Sequence, residues 1–217
     1  WEGGDCAAIE AARQEGVWVI VNEKKDFPSV KKQIVNLNLQ ILSSAAGAED
    51  AVARGARLAL KTRTDQRIYG RGALDFFANL VDLFPVARCG ASVQKKRFIT
   101  LDRGKSRPRP YHLVDWLMFG TVEDVRLYWS ADLVTEIPER FRSCEAYLFA
   151  EFLKKTGHAP VWTVEDSLRA FAEHCVIINP DMIDFYWRKY EYHRERRLVN
   201  YYTSKPRNFG FAEWLGE

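Results

Sequence analysis

The chain has 217 residues, of which 47% are hydrophobic and 28% are charged. This apolar content is sufficient for a substantial core, and a single domain over residues 1–217 is the expected organisation. Basic residues number 32 and acidic residues 29, so the net charge of +3 is too small to indicate binding to nucleic acid or to an anionic membrane. Any site for an anionic ligand must therefore be local.

The cysteines are widely scattered along the chain: Cys6, Cys89, Cys144 and Cys175. This spacing favours free thiols in a reducing compartment over a zinc site or a disulfide scaffold. No stretch approaches the roughly 20 apolar residues that a membrane-spanning helix needs, and the start of the chain lacks the pattern of a signal peptide. The sequence therefore predicts a soluble, cytoplasmic protein.

The first part of the chain predicts a strand, a helix and a second strand after an initial helix over 6–16. Residues 17–21 (VWVIV) predict a buried strand. The central helix is predicted by an apolar stripe at helical spacing: Leu37, Ile41, Ala45, Ala48 and Val52. Gly55 is expected to cap this helix, and 58–60 predicts the next strand. The order strand, helix, strand predicts parallel pairing through a right-handed crossover.

Strands and helices alternate further along the chain, which predicts an α/β fold with an open, mostly parallel twisted sheet flanked by helices. Helices are expected over 73–84, 122–130, 143–156 and 163–174, and strands over 97–101 and 175–178. Thr121 and Ser143 are predicted N-caps. The segment 181–197 is either an amphipathic helix leaning on the core or a set of groups that dock a sugar, a lipid diphosphate or a membrane. The range 161–217 is predicted to be a helical extension packed on the domain.

The chain turns polar where the predicted strand 58–60 ends, with Arg63, Asp65, Gln66 and Arg67 close together. In an open α/β sheet, ligands bind beyond the carboxyl ends of the strands. This cluster is therefore the best candidate for an active site. The alternative is an ordinary solvated junction between a strand and a loop.

Two more carboxylates are candidates for the same site. Asp115 lies in the apolar segment 112–120, where an ionised group needs a cationic partner or a cavity. Glu145 falls in the first turn of the predicted helix 143–156. It either complements the helix dipole or projects into a cleft shared with Asp65 and Asp115.

Two other polar segments are also candidates for ligand contacts. Asn36, Asn38 and Gln40 lie near a helix start, where they either bind a ribose or sugar or satisfy backbone groups. The loop 102–110 (DRGKSRPRP) alternates basic residues with helix breakers. It is either a solvated loop or a segment that closes over a diphosphate or an acidic acceptor.

The chain contains several segments whose order and spacing are specific, although each is weak alone: WEG at 1–3, N-x-N-x-Q at 36–40, GARLALKTRTDQR at 55–67, HLVDWLMFGTVEDV at 112–125 and CEAYL at 144–148. Together they resemble the WavE lipopolysaccharide synthesis family, whose members are regarded as bacterial glycosyltransferases. The likeness extends from Trp1 to about Leu153.

This resemblance implies a GT-A-like fold, in which a strand ends in a metal-binding acidic motif. Asp65 is the carboxylate in that place, and the implied ion is Mg²⁺ or Mn²⁺. Arg63 stands where many such enzymes have the first aspartate of a D-x-D pair, so its guanidinium is an alternative means of neutralising a diphosphate. In the family, WEG follows an initial strand and helix, so the chain is expected to lack the first nucleotide-binding strand.

Sugar transfer from a nucleoside diphosphate requires stabilisation of charge on the departing diphosphate, by a metal ion or by fixed cations. Asp65 with Arg63 and Arg67 meets this requirement. In an inverting reaction a second carboxylate takes the proton of the acceptor hydroxyl. Glu145 is assigned as this base and Asp115 as an acceptor binder. The predicted substrate-binding residues are Asn36, Asn38, Gln40, Arg63, Gln66 and Arg67.

The function implied is transfer of a sugar from a nucleotide sugar to a lipopolysaccharide-core or other surface-polysaccharide acceptor, which is a polysaccharide or a lipid-linked saccharide. The alternative is a non-catalytic binding or scaffold module in polysaccharide assembly. Nucleic acid is not an expected partner. The expected location is the cytoplasm, with peripheral contact on the inner face of the cell membrane left open.

Overall fold

The computed structural model describes residues 6–22, 27, 31–86, 93–102, 109–136, 141, 143–188 and 209–216. The helices are α1 (Cys6–Gln14), α2 (Lys32–Ala53), α3 (Ala73–Leu83), α4 (Val122–Trp129), α5 (Cys144–Lys155), α6 (Val164–His174) and α7 (Phe211–Leu215). The strands are β1 (Leu58–Lys61), β2 (Gln66–Ile68), β3 (Phe98–Leu101), β4 (Met118–Thr121), β5 (Cys175–Ile178) and β6 (Phe185–Trp187). A 3₁₀ helix spans Pro180–Ile183.

Four strands form a mixed sheet in the order β1-β4-β3-β5. β4 is antiparallel to β1 and β3, whereas β3 and β5 are parallel. The α/β class with helices around an open sheet is confirmed, but the expectation of a mostly parallel sheet is wrong. The described part of 102–117 contains no helix, so β4 returns directly beside β3 and runs antiparallel to it. Since only β4 is reversed, β1, β3 and β5 end at one edge.

Aromatic side chains form the core on both faces of this sheet. The ring of Phe119 in β4 lies 5.2 Å from that of Phe77 in α3. The ring of Phe98 in β3 lies 5.5 Å from Tyr128 of α4 and 5.4 Å from Phe152 of α5. All five side chains are buried. Their edge-on and tilted contacts add to the large apolar area that these rings remove from water.

Local signals in the sequence locate the helices that carry the site. Leu37, Ile41 and Ala48 of the predicted stripe are buried along α2, and Gly55 has the left-handed conformation expected of a cap. Thr121 and Ser143 are confirmed as N-caps, because each side chain accepts a hydrogen bond from a backbone N–H three residues on. These caps determine where α4 and α5 begin.

Two predicted elements are wrong. Residues 17–21 are not a strand, and Trp18 and Val21 are 73% and 68% exposed. No neighbouring strand covers this apolar run in the described structure, while the Trp18 ring lies 3.8 Å below the guanidinium of Arg54. Within 181–197, residues 185–187 form β6 rather than part of a helix. Aromatic residues at alternating positions suit a strand as well as a helix.

The strand β6 pairs with β2 in a separate antiparallel sheet, with Gln66 opposite Trp187. The range 161–217 also supplies β5 to the main sheet, so the part predicted as a helical extension contributes strands to both sheets. Cys6, Cys144 and Cys175 are free thiols. In the described ranges, no helix is long and apolar enough to cross a membrane.

Gly70 lies just after β2, close to the backbone of Ile183 just before β6. A Cβ atom on Gly70 would lie 2.8 Å from the backbone oxygen of Ile183. We expect Gly70→Ala to lower the free energy of unfolding by about 1–3 kcal/mol, because backbone must move to admit the methyl group. Urea unfolding measures this effect. Gly47→Ala is the control, since Gly47 is exposed on α2 with no atom near an added Cβ; equal destabilisation by both changes would contradict the expectation.

Candidate functional site

Charged residues meet at the edge where β1, β3 and β5 end. Lys61 is the last residue of β1, and the buried Asp102 directly follows β3. Because β4 runs in the opposite direction, Asp115 comes to this edge just before β4 begins. The edge therefore corresponds to the place where ligands bind in open α/β sheets.

Lys61 provides a cation at the end of β1. Its Nζ donates a hydrogen bond to the backbone carbonyl of Asp115 and lies 4.8 Å from the ring centroid of Trp129. Burial lowers the pKa of Lys61 to about 8; the Asp115 carboxylate opposes this shift, and the charge of Arg63 adds to it. Lys61 is therefore a positively charged group at neutral pH that titrates close to that range.

Asp115 has the partners that its apolar surroundings require. Its Oδ2 accepts a hydrogen bond from the side-chain amide of Gln40. Its charge also raises the pKa of Arg63, although the hydrogen bond from Arg63 to Asp65 is the larger cause. Asp115 thus lies within electrostatic reach of both Lys61 and Arg63, and the structure brings Gln40, a predicted substrate-binding residue, into contact with it.

Asp65 is held by Arg63 and Trp187. Arg63 donates to both carboxylate oxygens at 2.9 and 3.1 Å, and Trp187 Nε1 donates to Oδ2 at 2.9 Å. These bonds, the one from Arg63 foremost, lower the pKa of Asp65 to about 2. In the described part of the chain, Asp65 belongs to no group of three side chains that offer metal ligands. A metal ion at Asp65 stays a prediction.

Glu145 is the second residue of α5 and its side chain is 30% exposed. Its Oε2 lies 3.9 Å from Nδ1 of His112, which in turn lies 2.7 Å from Oγ of Ser143. Burial, together with the charges of Glu145 and Asp115, raises the pKa of the Cys144 thiol to about 11. The charges of both predicted catalytic carboxylates therefore reach the same thiol.

Asn36 and Asn38 lie on different sides of α2. Asn38 is fully buried, and its amide donates to the carbonyl oxygen of Val134 at 2.8 Å and accepts from the N–H of Val134 at 3.0 Å. Asn38 therefore fits the alternative in which these side chains satisfy backbone groups. Asn36 is exposed one turn before Gln40, so these two side chains share a helix face.

Arg67 and Gln66 have different surroundings in β2. Arg67 Nη1 donates to the carbonyl oxygens of Thr64 and Gln66 at 2.7 Å each, which directs the guanidinium back onto its own turn. Gln66 is buried, and its Oε1 accepts hydrogen bonds from the Thr62 hydroxyl and from the N–H of Arg63. Gln66 therefore shapes the turn that presents Arg63 and Asp65.

Buried polar atoms without hydrogen-bond partners concentrate around this cluster. Within the described ranges they are Gln66 Nε2, Tyr128 Oη and Trp129 Nε1. Gln66 adjoins Arg63, Trp129 lies under Lys61, and the charges of Asp115 and Glu145 act on Tyr128 after the larger effect of burial. Each such atom costs about 1–3 kcal/mol. A native fold retains few such atoms, so their occurrence close together is an unusual feature of this region.

Sequence reasoning missed Lys61, His112 and Trp187 as site residues. Lys61 could have been found from its position, because it ends an apolar strand and adjoins the polar cluster. Trp187 belongs to the aromatic segment 181–197, for which docking of a sugar is one of the two predicted roles. The basic residues Arg103, Lys105 and Arg107 of the predicted loop lie outside the described residues.

No protein-family model matches the chain, and neither a curated protein nor a solved structure matches it. The resemblance to the WavE family is therefore a prediction, and the function is argued from the site itself.

Proposed function

We propose that the chain is a GT-A-like glycosyltransferase domain that binds a nucleotide sugar at the edge where β1, β3 and β5 end. The observation that carries the proposal is the concentration of charge there: Lys61 and Arg63 next to Asp65 and Asp115, with Glu145 nearby.

Lys61 and Arg63 are the groups that neutralise the diphosphate. Arg63 offers a planar set of donors suited to phosphate oxygens, and Lys61 adds a compact positive charge. Asp65 orients Arg63 through two hydrogen bonds. An Mg²⁺ or Mn²⁺ ion on Asp65 remains part of the proposal, and it would have to share or displace the bonds from Arg63.

Asp115 and Glu145 are the carboxylates that bind and activate the acceptor. Asp115, oriented by Gln40, accepts hydrogen bonds from acceptor hydroxyls, and Glu145 takes the proton of the attacking hydroxyl. His112 lies beside Glu145, where it supports the orientation of the carboxylate. From the resemblance, the expected acceptor is a lipopolysaccharide core or another surface saccharide.

A screen of nucleotide sugars by thermal shift, with and without Mn²⁺, tests donor binding. We expect a UDP-, GDP- or CMP-linked sugar to raise the melting temperature. We expect Lys61→Met to weaken that binding roughly 10- to 100-fold, because a charged hydrogen bond to the diphosphate is lost. Donor affinity should also fall as pH rises through about 8, since Lys61 loses its charge there.

Lys154→Met is the control, because Lys154 is an exposed lysine in the last turn of α5. Equal affinities in both variants and in the unchanged chain would contradict a role for Lys61 in the diphosphate site. If nucleotide sugars bind but no transfer or hydrolysis of the donor is detected, the non-catalytic binding module becomes the better account.

A further inference from the structure

A second group of polar side chains lies at the opposite edge of the main sheet. His174 is the last residue of α6 and immediately precedes β5, and Gln94 comes shortly before β3. Both are therefore at the edge where β3 and β5 begin. His158 and Glu173 complete a group with His174 in which the candidate ligand atoms all lie within 4.8 Å of one another.

The hydrogen bonds of Gln94 determine which nitrogen of His174 carries the proton. The Gln94 amide nitrogen donates to the carbonyl oxygens of Lys96 and His174, each at 2.8 Å. Its Oε1 is consequently the atom that faces His174 Nδ1 at 2.6 Å, and it can only accept. Nδ1 of His174 therefore carries the proton, and Nε2 presents a lone pair.

His158 is oriented in the same way by a carboxylate. Its Nε2 lies 3.2 Å from Oδ2 of the buried Asp166, so Nε2–H donates to that oxygen. Nδ1 then presents its lone pair toward Glu173, whose Oε2 lies 3.8 Å away. A carboxylate or amide oxygen behind each imidazole is the arrangement that orients metal-binding histidines in proteins.

We propose that His158 Nδ1, His174 Nε2 and the Glu173 carboxylate bind a divalent transition-metal ion of the Zn²⁺ class. Two imidazoles and one carboxylate are a recognised ligand set for Zn²⁺. Tetrahedral coordination at about 2.0–2.1 Å places ligand atoms about 3.3 Å apart. Because the candidate atoms lie within 4.8 Å of one another, they must approach by at most about 1.5 Å. The Glu173 side chain is 41% exposed, so it can move toward the two imidazoles.

The proposed metal site adjoins a cleft at Glu173, and the bound ion would have an open coordination position. Glu173 also lines a cleft of about 610 Å³ together with Arg97, Arg169 and Trp214. Three protein ligands leave one position for water or another small ligand. The two arginines add positive charge, but Arg169 is paired with Asp166. The site is independent of the proposed nucleotide-sugar site at the other edge of the sheet.

Titration of the chelator-treated chain with Zn²⁺ by calorimetry, and with Co²⁺ by its visible absorption, tests the proposal. We expect one equivalent of metal per chain and a tetrahedral Co²⁺ spectrum. Glu173→Gln and His158→Gln should each weaken binding by at least roughly 10- to 100-fold, the range seen even when only supporting groups are changed. Circular dichroism checks that both variants are folded.

His112→Gln is the matched control, because His112 lies beside Glu145 and outside this group. It should bind the metal as the unchanged chain does. The proposal is overturned if the unchanged chain takes up no metal, if the control loses binding equally, or if both ligand variants retain it. In the first case, His158 is explained as a histidine that simply pairs with Asp166 and Glu173.

Discussion

Glu145→Gln is expected to lower the rate of sugar transfer by about 10²- to 10⁴-fold, the usual contribution of a general base. The amide cannot take the proton of the acceptor hydroxyl, whereas the size of the side chain is unchanged. Donor affinity should be kept, because Lys61 and Arg63 bind the diphosphate elsewhere in the site. The measurement is the transfer rate at saturating donor, combined with a separate donor-binding titration.

Glu165→Gln is the matched control for this experiment. Glu145 and Glu165 are each the second residue of a helix capped by a hydroxyl side chain, but Glu165 is exposed on α6. If Glu145 only complements the helix dipole, both changes should cost about 0.3–1 kcal/mol of stability and leave transfer unaltered. That result would remove Glu145 from the proposed mechanism.

Asp166→Ala is expected to lower the free energy of unfolding by about 3–5 kcal/mol, because it leaves buried partners without an acceptor. Asp166 is buried and accepts hydrogen bonds from the Tyr111 hydroxyl, the N–H of Val161, His158 and Arg169. Urea unfolding measures the loss. If the alanine variant does not fold, Asp166→Asn gives a milder change at the same position, and Glu165→Ala is the exposed control next to it.

The effect of Asp166 should depend on pH in a defined direction. Burial, the largest single influence, acts to raise its pKa, but hydrogen bonds from Tyr111, Val161, Arg169 and His158 outweigh it and hold the pKa well below the usual 3.8. Its stabilisation is complete above about pH 5 and is lost as the pH falls through 3.8 and below. The difference between the unchanged chain and Asp166→Ala should therefore shrink in acid. A difference that is constant with pH would contradict an ionised Asp166.

The elements that could be predicted are those whose signals are local. The stripe from Leu37 to Val52 and the hydroxyl caps Thr121 and Ser143 act within one helix, and these helices form as expected. The direction of β4 depends on where the segment before it leads, which no local pattern encodes. The run 17–21 has the composition of a buried strand, but burial requires a partner strand, and none covers it in the described structure.

In the candidate site, too, the residues with local signals could be predicted and those placed by long-range contacts could not. A polar cluster after an apolar strand pointed to Arg63 and Asp65, and the costly position of Asp115 indicated that it needed partners. Lys61 and Trp187 were not assigned to the site, because their places depend on contacts with Asp115 and Asp65 from distant parts of the chain. Asn38 shows the limit of prediction from residue type. An asparagine suits sugar binding, but the amide of Asn38 is hydrogen-bonded to the backbone of Val134.

The main sheet has one proposed ligand site at each end, and the strand β3 reaches both. Four residues at about 3.3 Å each make the distance between these ends about 13 Å. A nucleotide sugar at one end and a metal ion at the other would each bind the folded sheet and not the unfolded chain. Their stabilising free energies should therefore add in global unfolding, so that a melting curve with both ligands shifts by the two separate increments combined.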